Sequence, residues 1–160
     1  MKQLAKILGT GFGTGLAPIG SGTLGSLLAV AVYYYFAEYQ HQLLLWQWLL
    51  ILVGVFFPIG IWSSGELEDL YGHDPRQATI DELVGQWIAF LFLPFSWSTL
   101  ILGFVFFRLY DITKPEPINR IQKLPKGFGI MMDDVLAGIY ANISVWICLI
   151  GYDKIKIILS

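Results

Sequence analysis

The chain is expected to fold as a compact multi-helix integral membrane bundle with about five apolar segments. Three observations predict this. Charged residues make up only 14 % of the chain, well below the roughly 25 % of soluble domains. Apolar residues reach 56 % and the mean hydropathy is +0.63. The apolar residues also fall in long runs, separated by short polar stretches rich in glycine and proline. A length of 160 residues fits one domain, residues 1–160.

Taken in order, residues 1–15 lack the shape of a signal peptide, because glycines follow Lys2 and Lys6 where a continuous apolar core would stand. Insertion through the protein's own helices is expected. Residues 9–26 (GTGFGTGLAPIGSGTLGS) form a Gly/Ser/Thr-rich stretch leading into a helix. Such a loop can cradle phosphate on backbone N–H groups, but no GxxxxGK[ST] motif is present. Close helix packing explains the Gly11/Gly15 spacing equally well. The first apolar segment covers residues 24–36. The second, residues 43–62, has Gln47 as its only strongly polar member and is long enough to cross a hydrocarbon core of about 30 Å.

Residues 64–82 read as a helix end, a turn and a new helix start. Gly72 fits a C-terminal cap and Pro75 a stop. Glu66, Asp69 and His73 are spaced by three and four, roughly one helical face. Asp81 and Glu82 open the next helix, and Thr79-x-x-Glu82 fits a capping box, which accounts for Glu82 without any function. Segments 83–93 and 97–107 flank Pro94. Eleven helical residues cover only about 16 Å, so this pair either extends into its flanks and spans or forms a re-entrant hairpin held in protein. Arg108, Asp111 and Lys114 sit three apart, a spacing that also suits a plain salt-bridge ladder. Pro115 and Pro117 then end the helix. Asp133 and Asp134 precede the last segment, residues 135–151, where a helix macrodipole favours carboxylates. Cys148 stands alone, which excludes an intramolecular disulfide or a zinc site.

The charge balance, ten basic and twelve acidic residues, offers no basic field for nucleic acid. Lys and Arg recur on alternate connections, as the positive-inside rule expects. That places residues 64–82, 108–116, 131–134 and the Gly-rich stretch together on the cytoplasmic side, leaving chiefly Glu38 and His41 opposite. Most of the acidic residues lie in those three polar stretches. Carboxylates beside lipid are costly unless paired, hydrated or bound to a cation, and hard oxygen ligands suit Mg²⁺. No Ser-His-Asp arrangement, Cys-x₅-Arg loop or H-E-x-x-H motif points to another hydrolase chemistry. What remains fits divalent-metal phosphoryl chemistry. Two competing classes are a small membrane cation or proton transporter, whose acids would stand near mid-bilayer, and a structural subunit whose acids only cap and pair.

The stretches GFGTGLAPIGSGTLGS, HDPRQATIDELVG, FRLYDITKPEPI and GFGIMMDDVLAG, in that order, resemble the bacterial phosphatidylglycerophosphatase A family. The one visible departure is Ser21-Gly22-Thr23, where the family usually has Pro-Gly-Thr. The resemblance implies an all-α fold in the bacterial inner membrane. It also implies a Mg²⁺-dependent phosphatase that converts phosphatidylglycerophosphate, a phospholipid substrate, to phosphatidylglycerol and phosphate. On that basis Asp81, Glu82, Asp111, Asp133 and Asp134 are the expected Mg²⁺ ligands. Arg108 and Lys114 are expected on phosphate oxygens, with Gly22 and Thr23 adding backbone or hydroxyl contacts. Asp69, His73 or Asp74 would supply the proton to the leaving oxygen. Either a cation-held water or a carboxylate would be the nucleophile.

Overall fold

In a computed structural model, residues 1–39, 42–73 and 75–159 are described; His41 and Asp74, on which two expectations fall, lie outside them. Among the described residues seven α-helices follow one another: α1 (Lys2–Gly9), α2 (Ser21–Tyr39), α3 (Gln42–Tyr71), α4 (Ile80–Phe90), α5 (Trp97–Thr113), α6 (Ile118–Ile121) and α7 (Gly127–Leu159). A short 3-10 turn, Thr14–Leu16, lies between α1 and α2. No strand occurs among the described residues, so the all-α expectation agrees with the fold.

The apolar segments lie in helices except for residues 91–93, which follow the end of α4, and the count of about five apolar segments is not confirmed. Two described stretches are long and apolar enough to cross a membrane, Leu44–Tyr71 and Gly127–Lys156. Both are apolar around most of their circumference yet largely uncovered by protein. α4 is the opposite case. Its residues are buried on every side, from Ile80 to Phe90 with only Glu82 partly exposed. At about 16 Å it is shorter than a hydrocarbon core and is wrapped by protein instead.

α4 is the hub of the bundle. Leu83, Trp87 and Phe90 pack with Ala29 and Tyr33 of α2 and with Leu45 and Leu49 of α3. Ala89 packs with Phe107 of α5 and with Ala137 and Ala141 of α7. The Tyr33 ring stacks on Phe90 at 4.3 Å, and Trp87 Nε1 donates to Ala29 O at 3.1 Å. The α4–α7 approach depends on two glycines. A Cβ at Gly85 would sit 2.7 Å from Asp134 O, and one at Gly138 would collide with Gly85 O.

A short helix ending inside an apolar bundle leaves carbonyls without intrahelical partners. Asn142 of α7 meets this need. Its Nδ2 donates to Leu91 O at 2.8 Å and Ala89 O at 3.2 Å. Ser96 caps α5 by accepting from Thr99 N, and Tyr110 and Ser144 hydroxyls join α5 to α7 at 2.8 Å.

Candidate active site

The start of α4 is fixed by the Gly-rich stretch. Thr79 N donates to Gly9 O at 2.9 Å, the Thr14 and Thr79 hydroxyls meet at 3.0 Å, and Ser21 Oγ donates to Arg76 O at 2.9 Å. The approach is close enough that a Cβ at Gly15 would collide with Gln77 O. The glycines here let one backbone lie against another.

Asp81 and Glu82 therefore enter on the first turn of α4, where the helix dipole favours negative charge. The expected capping box does not form. Thr79 is the N-cap residue but makes no side-chain cap bond, because its hydroxyl is engaged with Thr14. Glu82 instead turns toward α2 and α5: the space a Cβ would need at Gly22 is taken by Glu82 Oε1, with Arg108 Nη1 at 3.2 Å.

α5 supplies Arg108 and Asp111, joined at 2.7 Å. It ends on Lys114 in the left-handed region, φ 41°, an uncommon conformation outside glycine. That turn aims Lys114 Nζ at Asp133 Oδ2, 2.6 Å away. α7 supplies Asp133 and Asp134, which are 3 % and 2 % exposed. They do not sit at the helix N-terminus as expected. α7 begins at Gly127, so both lie on its second turn and project into the bundle.

These residues converge. Asp81, Glu82 and Asp134 each place one carboxylate oxygen within 4.8 Å of the others. Asp111, Asp81, Asp133 and Glu82 all set negative charge against Asp134. Burial, and then the neighbouring Asp81 and Asp111, push the Glu82 carboxyl well above the usual carboxylate range, with Arg108 opposing. Glu82 Oε2 and Asp134 Oδ2 are buried without a hydrogen-bond partner. Buried oxygens of this kind are expensive. Three close carboxylates, two of which have an unpartnered buried oxygen, form a donor set that fits a hard divalent cation.

The other expected residues fall less closely. Thr23 is half-buried beside Gly22, and among the described residues no hydrogen bond links it to the carboxylates. His73 lies at the exposed end of α3 with Nδ1 2.7 Å from Glu68 Oε1, and Asp69 is exposed. Neither is among the charges acting on Glu82 or Asp134. Ser26 was not singled out by sequence as a site residue. It accepts from Arg108 Nη1 at 3.3 Å and donates to Gly22 O at 3.0 Å; its placement one turn after Gly22 was the available signal. Gln86, one turn beyond Glu82, is fully buried with neither amide atom bonded, and nothing in its local pattern distinguished it from a core residue.

Known proteins resemble this chain over most of its length. The family model described as Phosphatidylglycerophosphatase A matches residues 7–149. A putative phosphatidylinositol-3-phosphatase of Bacteroides thetaiotaomicron is 39 % identical over 150 residues, covering 89 % of this chain and 91 % of the relative. The phosphatidylglycerophosphatase A of Escherichia coli is 37 % identical, over 83 % of this chain and 76 % of its own. That of Haemophilus influenzae is 38 % identical, over 88 % and 85 %. No solved structure matches. The family match runs through all the helices that bring the carboxylates together, and the chain belongs to the phosphatidylglycerophosphatase A family of phosphoric monoester hydrolases.

Proposed function

We propose that this protein hydrolyses phosphatidylglycerophosphate to phosphatidylglycerol and phosphate, as a step of phospholipid biosynthesis, in the bacterial inner membrane. The observation that carries the reading is the meeting of Asp81, Glu82 and Asp134 within 4.8 Å, with Arg108 and Lys114 held beside them by Asp111 and Asp133. In this reading Asp81, Glu82 and Asp134 hold Mg²⁺, with Asp111 and Asp133 completing the acidic shell. Bound there, the cation would neutralise charge on the phosphoryl oxygens. Arg108 and Lys114 would contact the phosphate, where each offers charge-assisted hydrogen bonds. Gly22, lacking a Cβ, lets Glu82 Oε1 and the Arg108 guanidinium lie against the start of α2. Water would attack phosphorus as the bond to the glycerol oxygen breaks; a carboxylate of the cluster would accept the water's proton and return a proton to the leaving glycerol oxygen.

The membrane placement is supported by the two long apolar helices and their uncovered faces. A multi-pass arrangement with the carboxylates on the cytoplasmic side fits the basic connection from Arg108 to Lys126. The Bacteroides relative, named for a different phosphorylated lipid, supports phosphatidylinositol 3-phosphate as the second substrate to consider. The test is inorganic phosphate release by purified protein from each lipid, with and without Mg²⁺. Release from phosphatidylglycerophosphate that requires Mg²⁺ is expected. Faster turnover of phosphatidylinositol 3-phosphate would reassign the substrate, and no release from either would end the reading.

A further inference from the structure

α1 packs antiparallel along the C-terminal half of α3, and the contacts between them run from polar to apolar. At one end Lys6 Nζ stands 6.0 Å over the Tyr71 ring, where the second apolar helix ends. In the middle Gly9 presses on Leu67 and Ser63. At the other end the Phe12 ring meets Phe56 at 6.1 Å. Tyr71 and Phe56 are fifteen residues apart along α3, about 22 Å of helix. A cavity of about 450 Å³ opens beside this seam on α1 and the turn that follows it, with Gln3, Lys6 and Thr10 as its polar members and Ile7, Phe12 and Leu16 as its apolar ones. It lies apart from the carboxylate cluster.

We propose that this cavity is a binding site for one anionic phospholipid, distinct from the site of hydrolysis. The cation and amide at the Tyr71 end suit a phosphate headgroup. The aliphatic and aromatic walls toward Phe56 suit acyl chain. The single cation in the lining selects negative charge. Aromatic rings at a helix end are the usual neighbours of lipid headgroups. The site is tied to the chemistry through Gly9 O and Thr14 Oγ1, which hold Thr79 just ahead of Asp81. The proposal rests on the lipid-facing placement of α3 given above, but not on the hydrolytic activity.

Native mass spectrometry of the full-length protein, titrated with phosphatidylserine or phosphatidylcholine, tests it without turnover. One phosphatidylserine is expected to be retained several-fold more strongly than phosphatidylcholine. Lys6→Glu should weaken phosphatidylserine binding by roughly fivefold or more and leave phosphatidylcholine unchanged. Leu16→Ser, at an exposed position, should weaken both lipids alike. Asp134→Asn should change neither. Equal retention of the two lipids, or indifference to Lys6→Glu, overturns the proposal. Loss of lipid in Asp134→Asn would place it at the carboxylates instead and overturns it too. Absence of phosphate release by the wild-type protein would remove the phosphatase reading alone.

Discussion

Replacing Gly22 by alanine separates the chemistry of this protein from its folding. Gly22 is the second residue of α2, so alanine should favour the helix by up to about 1 kcal/mol. Against that, the new Cβ collides with Glu82 Oε1 and approaches Arg108 Nη1 and Nη2 at 3.2 and 3.3 Å. All three atoms are the far ends of long side chains. Glu82 can swing away for about 0.5–1.5 kcal/mol of rotamer strain. The two effects nearly cancel, so thermal stability should move by no more than a few degrees, about 2–4 °C per kcal/mol for a chain of this size. Activity should not survive so well. A carboxylate displaced by an ångström from a cluster that must meet one cation costs on the order of 10²-fold in rate. The assay is phosphate release across a Mg²⁺ titration, alongside a melting curve in detergent. Gly15→Ala is the contrasting control. Its Cβ meets the backbone carbonyl of Gln77, which no rotamer can relieve, so it should destabilise by about 1–3 kcal/mol. Wild-type turnover and an unchanged Mg²⁺ requirement in Gly22→Ala would refute the assignment of Glu82 to the site.

Asp134→Asn should abolish phosphate release while the protein remains folded and inserted, as judged by circular dichroism and retention in membranes after an alkaline-carbonate wash; full activity would remove Asp134 from the site. Chelation with EDTA should stop turnover and added Mg²⁺ should restore it, and chelator-insensitive turnover would count against any metal mechanism. Asn142→Leu should cost about 1–3 kcal/mol of stability, because the α4 carbonyls it serves lose their donor, with little change in turnover of the protein that remains folded. A melting temperature equal to wild type would show that those carbonyls find other partners. Tyr110→Phe should cost only about 0.5–1.5 kcal/mol through loss of the bond to Ser144, and a larger drop would mean that the α5–α7 contact carries more than that hydrogen bond.

Much of this was legible along the chain. Low charge and long apolar runs announced a helical protein with membrane-length segments, and Gly72 and Pro75 marked the end of α3, where Gly72 indeed adopts φ 95°. The spacing Arg108–Asp111 indicated an ion pair, and one forms at 2.7 Å. These are local properties, set by backbone preference and by neighbours one turn apart. Local rules misled where a distant partner prevailed. Thr79 and Glu82 had the spacing of a capping box, yet Thr14, 65 residues away in sequence, engages the threonine, and Gly22 and Arg108 receive the glutamate. Asp133 and Asp134 looked like a helix start because the apolar run begins after them; the helix begins at Gly127, and tertiary burial turns both inward.

By itself, then, the order of amino acids determined that the apolar runs are helical, where α3 stops and which acidic residues were available for chemistry, because those depend on contacts within a turn or two. Only the folded bundle decided that α4 would be enclosed rather than span, and that Asp81, Glu82 and Asp134 would share one space. The physical reason is the backbone approach at Gly85 and Gly138: two absent side chains, 53 residues apart in sequence, let α4 and α7 close until carboxylates from both meet.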